Sequence, residues 1–299
     1  MAADTEPHFA LRDADVTIVG LGLIGGSLAW ALRERQLCRR VGGVARRPES
    51  IGEALERGVV DWATTDLAAG VGGADIVVLA APVRTILQQI PLVAPWLKPG
   101  CMLLDVGSTK EAIVAAMAQL PSHVQPIGGH PMCGKEKNGL SAADPALFEG
   151  SPFVLTPLAR TAPEAVALAE EMARGVGAHP MILEPGRHDR LVAAVSHLPY
   201  LLSAALMSVA QHVGEADEAL WALAASGFRD TSRLAASDVQ MMADILLTNQ
   251  QAVGEMAQRC SAALQQLAAL IASDDEIALK AILSPLQVRR GGMFQGGRS

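Results

Sequence analysis

At 299 residues, half of them apolar, the chain is long enough for two globular domains and can bury a substantial core. Its net charge of -7, from 24 basic against 31 acidic residues without a Lys/Arg cluster, argues against nucleic-acid or anionic-membrane partners. Cys38, Cys101, Cys133 and Cys260 lack the paired spacing of a zinc site or redox motif, so no metal and no disulfide are expected, and the acidic start lacks a secretory pattern, which predicts a cytoplasmic protein.

The first strong signal is an apolar strand at 16–19 running into Gly20-Leu21-Gly22-Leu23-Ile24-Gly25-Gly26-Ser27. Leu23, Ile24, Leu28, Ala31 and Leu32 follow at helical spacing, so the glycines sit at a strand-to-helix turn. Gly20 allows the tight turn, Gly22 the approach of backbone N–H groups to a pyrophosphate, and Gly25 close helix–strand packing, which is the chemistry of a dinucleotide site. The next strand, 41–45, ends in Ala45-Arg46-Arg47. An NAD site usually places a carboxylate there for the ribose 2'-hydroxyl; its absence beside two guanidinium groups predicts NADP, with NAD possible.

A helix is expected at 48–57, with Pro48 in its first turn and Gly58 past its end. A doubly buried strand at 75–80 stops at Ala81-Pro82-Val83, a loop expected beside the nicotinamide, and a helix at 83–97 leads to a strand at 101–105. The sustained alternation predicts a parallel sheet with right-handed crossovers. At the end of that strand lie Gly107 and Ser108. Ser108 with Glu111 forms a Ser-x-x-Glu capping box for a helix at 109–120, and the same hydroxyl would face the ligand cleft. The strand 125–131 carries Gly128-Gly129-His130-Pro131, which pins a histidine where the nicotinamide ring should end. An imidazole can take the proton of an alcohol as hydride leaves its carbon, so His130 is the candidate base.

A strand at 153–156, a capping box at Thr161 and Glu164 opening a helix that closes at 175–177, and a strand at 180–183 end the α/β half. From 187 onward the pattern is helical: 191–212, 217–225, and one run over 238–272, followed by a Gly/Arg-rich tail after Val288 expected to be mobile. The stretch 191–213 is apolar enough to raise a membrane span, but Ser196, His197, Pro199, Ser203, Gln211 and His212 inside it predict a helix buried in protein. A second subunit is its natural partner. Arg229 and Arg233, four apart, are either a solvated pair or an anchor for a substrate carboxylate. The expected fold is thus α/β, a Rossmann-type mostly parallel sheet domain over 1–185 followed by an all-α dimerisation domain over 186–299.

In this order, Gly20 to Ser27, Ala81-Pro82-Val83, Gly107-Ser108-Thr109-Lys110, Gly128-Gly129-His130-Pro131-Met132-Cys133-Gly134, Ser196-His197-Leu198-Pro199 and Gly227-Phe228-Arg229-Asp230-Thr231-Ser232-Arg233 resemble the prephenate/arogenate (cyclohexadienyl) dehydrogenases of tyrosine biosynthesis. The resemblance covers about residues 15–275. It implies oxidative decarboxylation: hydride passes from the ring C4 to the nicotinamide, CO2 leaves, and the ring aromatises. It further implies that His130 deprotonates the C4 hydroxyl, that Ser108 orients His130, and that Arg233 binds a substrate carboxylate. Glu136 would shape the mouth of the site, with Ser196 and His197 on the helical wall of the cleft. Tyr200 stands where some members carry a second histidine and Lys135 where they carry threonine, which bears on the choice between a keto-acid and an amino-acid side chain. Two other readings are a β-hydroxyacid dehydrogenase, which would need a lysine that 187–213 lacks, and a non-catalytic NADP-binding sensor.

Overall fold

The computed structural model describes residues 10–135 and 137–293. Its contacts divide the chain into two compact units, Met1–Gln250 and Gln251–Ser299. The first begins with β1 (Asp15–Val19), α1 (Leu23–Glu34), β2 (Arg40–Val44), α2 (Pro48–Glu56), β3 (Trp62–Thr64), α3 (Leu67–Val71), β4 (Ile76–Leu79), α4 (Val83–Val93), β5 (Met102–Asp105), α5 (Glu111–Met117), β6 (Gln125–Pro131), β7 (Pro152–Pro157), α6 (Pro163–Gly175) and β8 (His179–Ile182). These strands form one sheet in the order β3-β2-β1-β4-β5-β6-β7-β8. Every pairing is parallel except that of β6 with β7.

Residues of a strand point alternately to opposite faces, and here both faces are covered. Ile18, Val78 and Leu104 pack in one core with α1 and α6, whereas Val19, Leu79 and Leu103 pack in a second with α4 and α5. The strand order reverses between β1 and β4, which is where an open α/β sheet leaves a crevice at its carboxyl edge. The short β3 and α3 were not expected from the sequence; a three-residue, half-buried edge strand carries too little apolar pattern to register, and α3 is announced only by its cap, Asp66, which accepts from Ala69 N at 3.1 Å.

Neither predicted capping box forms. Thr161 Oγ1 donates to Pro126 O instead, and α6 starts from Ala162 without a side-chain cap. The helix expected at 109–120 is the shorter α5, and its cap comes from a distant carboxylate described below rather than from Ser108.

After the sheet come α7 (Pro185–Val192), a π-helical turn (Ala193–His197) and α8 (Leu198–Ala216). Together they make one 32-residue helix. The wide turn precedes Pro199, whose ring and missing N–H disturb the regular ladder one turn earlier. The expectation that this helix is buried does not hold within one chain: only 22 % of its most apolar window is covered, and Val195 and Val209 are 69 % and 65 % exposed. By length and composition alone it could cross a membrane. Then follow α9 (Ala219–Leu223), α10 (Ser226–Ser232) and α11 (Val239–Thr248), the last capped by Asp238.

The single helix expected over 238–272 is broken at Asn249, where α11 ends before α12 (Gln250–Ala272). The second unit comprises α12 and α13 (Glu276–Gly292), joined across 273–275. The mobile tail expected after Val288 is helical as far as Gly292, and residues 294–299 lie outside the described residues.

Candidate active site

The glycine loop shows why each glycine is there. Gly20 has φ +108°, and a Cβ on it would overlap the Ala80 carbonyl; one on Gly25 would overlap the Gly20 carbonyl. Gly22 is different: a Cβ there meets nothing within 4 Å, and Gly22 is the N-cap of α1 with no side-chain cap. The first-turn N–H groups of α1 therefore face an open approach, and this cradle fits a dinucleotide pyrophosphate. Leu21 is buried beneath the loop while Leu23 and Ile24 are half-buried. At the end of β2, Ala45 is buried, and Arg46 and Arg47 are exposed without an ion pair among the described residues. In the loop after β4, Ala81 is half-buried against the core and Pro82 exposed, and Val83 is buried.

Two strands further along the sheet, the ends of β5 and β6 are locked together by an ion pair. Lys110 and Asp105 are both fully buried and bonded to each other. The Lys110 ammonium also donates to Gly129 O at 2.6 Å, while Asp105 accepts from Gly129 N at 3.1 Å and Gly107 N at 2.7 Å. Burial pushes the Asp105 carboxyl up and the Lys110 ammonium down, each opposed by the other's charge. Both polar groups of Gly129 are thus held, and His130 follows it directly.

His130 is half-buried and its Nδ1 lies 2.8 Å from His188 Nε2 on α7, the rings meeting edge to face. His188 Nδ1 is in turn 2.7 Å from Asp189 Oδ1. Asp189 is the missing cap of α5: its carboxylate accepts from Lys110 N at 2.7 Å and Glu111 N at 2.9 Å. Asn249 completes the cluster, donating to Asp189 O at 2.8 Å and lying 3.2 Å from His197 Nδ1. Burial holds the His130 imidazolium well below its ordinary range, helped by His188, Lys110 and His197, and burial lowers His197 to about 4. His130 is therefore a neutral imidazole at neutral pH, able to accept a proton.

The other expected site residues are placed less tightly. Ser108 is half-buried in the turn after β5 and makes no side-chain hydrogen bond among the described residues; the side chain that meets His130 Nδ1 is His188. His197 is buried, Tyr200 half-buried one turn later on α8, and Ser196 exposed. Arg229 and Arg233 are exposed, Arg229 beside Asp230 at 3.6 Å. Ser203 on α8 donates to Thr231 O, which fastens their segment to that helix. Glu136 lies outside the described residues. An open depression of about 410 Å³ lined by Trp30, Arg57, Lys135 and Asp144 includes neither the glycine loop nor His130.

Residues 28–182 match the model of the prephenate dehydrogenase nucleotide-binding domain, and residues 184–285 that of the prephenate dehydrogenase dimerization domain. The chain belongs to the prephenate dehydrogenase family. Among its relatives, the prephenate dehydrogenase of Bacillus subtilis is 36 % identical over 236 residues, which cover 78 % of this chain and 64 % of that protein, just under two thirds of its length. The solved arogenate dehydrogenase of Synechocystis superposes with a TM-score of 0.81 at 35 % identity, covering 93 % of this chain and 99 % of that one. The prephenate dehydrogenase of A. aeolicus in complex with hydroxyphenyl propionate and NAD+ superposes at 0.86 with 31 % identity, covering 92 % and 96 %.

Sequence reasoning found His130 in this family's Gly-Gly-His-Pro segment but missed His188, Asp189 and Asn249. The adjacent His188-Asp189 pair was visible as a chemically capable dipeptide at the start of the helical half. Its partners, 58 and 79 residues away, were not.

Proposed function

We propose that this protein catalyses the oxidative decarboxylation of prephenate or arogenate in tyrosine biosynthesis, in the cytoplasm, as a homodimer that prefers NADP to NAD. The observation that carries the reading is His130: a neutral imidazole at the carboxyl end of β6, on the same edge of the sheet as the open cradle at Gly22. A bound nicotinamide dinucleotide supplies the hydride acceptor. The chain's own groups manage the proton. His130 Nε2 takes the proton of the C4 hydroxyl as hydride leaves C4, which prevents a cation from building up on that carbon. The ring carboxylate then leaves as CO2, its bonding pair closes the aromatic ring, and the proton returns from His130 to the phenolate oxygen. The reaction therefore releases no net proton, and His130 serves as base and then as acid. Arg233 binds a substrate carboxylate, Arg229, Ser196, His197 and Tyr200 line the helical side, and Glu136 shapes the mouth. Ser108 reaches the reacting hydroxyl and the cofactor.

The relative solved in complex with hydroxyphenyl propionate and NAD+ supports an aromatic acid and a dinucleotide as ligands of this fold. The preference for NADP rests on Ala45, which offers no carboxylate to repel a 2'-phosphate, and on the exposed Arg46 and Arg47. A dimer is supported by the family's dimerization domain at 184–285 and by the apolar face of the π turn and α8, bare in a single chain at Val195, Val209 and Val213. Turnover assays with prephenate and arogenate, each with NAD and NADP, test the reading. Activity with neither substrate overturns it; a higher kcat/KM with NAD overturns the cofactor preference; a monomer in light scattering at micromolar concentration overturns the dimer.

A further inference from the structure

We infer that His188 and Asp189 are positioning residues that hold His130 in the one tautomer able to act as the base, through the chain His130 Nδ1–His188 Nε2 and His188 Nδ1–Asp189 Oδ1. The inference rests on the dehydrogenase reading for its kinetic consequence, and for the tautomer on geometry with one proton on the His188 ring.

The direction of the chain follows from its far end. An ionised carboxylate can only accept, and Asp189 already accepts from Lys110 N and Glu111 N at the start of α5. The proton shared with Asp189 Oδ1 at 2.7 Å therefore sits on His188 Nδ1. With a single proton on the His188 ring, placed on Nδ1 by Asp189, Nε2 is an acceptor, and the 2.8 Å contact obliges His130 Nδ1 to donate. Nε2 of His130 is left with its lone pair and bonds none of the described residues. A carboxylate that fixes the tautomer of a catalytic imidazole and stabilises its transient charge is a known device, and here a second imidazole extends it by one link.

The geometry is built to last. His188 and Asp189 are 0 % and 1 % exposed, so water does not compete for the chain. The titratable and charged groups around His130 are His188 and Asp189 from α7, Lys110 paired with Asp105 from the β5–α5 turn, and His197 from the π turn. Of these, Asp189 is the one whose charge is not already paired with another side-chain charge, and it is connected to His130 through His188. When His130 borrows the substrate proton, the positive charge that develops on it is met along this chain.

The test compares His188→Asn with His188→Gln. Asparagine places its amide near the position of Nδ1, keeps the bond to Asp189 and strands His130; glutamine reaches the position of Nε2 and can still accept from His130 Nδ1. We expect His188→Asn to lower kcat by about 100-fold or more with KM changed less than about threefold, and His188→Gln to recover part of that loss. In 15N-histidine NMR of the wild type, His130 should carry its proton on Nδ1, and His188→Asn should show a mixture of tautomers. A wild-type kcat in His188→Asn, or a wild-type His130 protonated on Nε2, overturns the inference. Because the NMR measurement needs no substrate, it decides the tautomer even if neither prephenate nor arogenate is turned over, an outcome that overturns the dehydrogenase reading instead.

Discussion

The Lys110–Asp105 pair offers a perturbation whose size can be worked from the structure. Both side chains are fully buried; each bonds the other and Gly129, and Asp105 also accepts from Gly107 N. In Lys110→Met the Asp105 carboxylate keeps only the two glycine N–H groups at 2.7 and 3.1 Å and loses its counter-charge. Removing one partner of a buried pair costs about 3 to 5 kcal/mol, because the remaining charge is stranded in a low dielectric. Asp105→Asn strands the ammonium and should cost a similar amount. The double variant leaves no charge, so it should lose far less than the sum, and the coupling should exceed about 2 kcal/mol. Urea denaturation followed by circular dichroism measures all three; each single variant should also melt on the order of 6 to 20 °C below wild type. Single-variant losses under about 1 kcal/mol, or strict additivity, would refute the argument that the pair is held by mutual charge in a dry site.

The remaining expectations concern catalysis and pH. His130→Asn keeps a hydrogen-bonding group but cannot take the proton, so kcat should fall about 10²- to 10⁴-fold with KM little changed; a near-normal kcat would make His130 structural. Because burial holds His130 well below 6.5, wild-type kcat should stay level from pH 8 to 6.5 and fall only at lower pH; a fall already centred near neutrality would contradict its burial. Arg233→Ala should raise KM for substrate about 10- to 100-fold and leave cofactor binding intact, and an unchanged KM would reduce Arg233 to a surface residue. His197, lowered to about 4 by burial, binds its proton more readily in the unfolded chain, so it contributes stability that is fully present above pH 6.5 and lost as pH falls toward 4. That loss is about 2 to 3 kcal/mol by pH 4.5; His197→Asn should show a shallower decline in urea-denaturation stability between pH 7 and 4.5, and an identical decline would remove His197 as its source.

Legibility in the sequence followed the range of the interactions. The glycine loop, the apolar strands and the placement of His130 at a strand end were readable because each is set by residues within a few positions of one another. Ser108 with Glu111 satisfied the local pattern of a capping box, yet α5 is capped by Asp189 from 78 residues away, and no local rule can rank a tertiary carboxylate against a neighbouring hydroxyl. Asn249 looked like an ordinary polar position inside a long helical run. Its side chain is committed to Asp189 O and His197, and the helix breaks there. The apolar stretch that implied burial is instead open on α8, since periodicity reports that a face must be covered and not by which chain.

Lys110 explains why these distant segments make one site. Its ammonium donates to Gly129 O, which fixes the backbone just before His130, while its own backbone N–H donates to Asp189 Oδ1, the atom that holds His188. One residue therefore sets both ends of the 2.8 Å contact between the two imidazoles. The two tethers are chemically separate, because a substitution at position 110 removes the ammonium but leaves the peptide N–H. Lys110→Met should then loosen His130 through β6 while His188 stays bound to Asp189, so that the imidazole pair is disturbed from the sheet side alone. The His130 ring is met by His188 through the docking of α7 against the start of α5, and the sheet contributes the strand that carries His130.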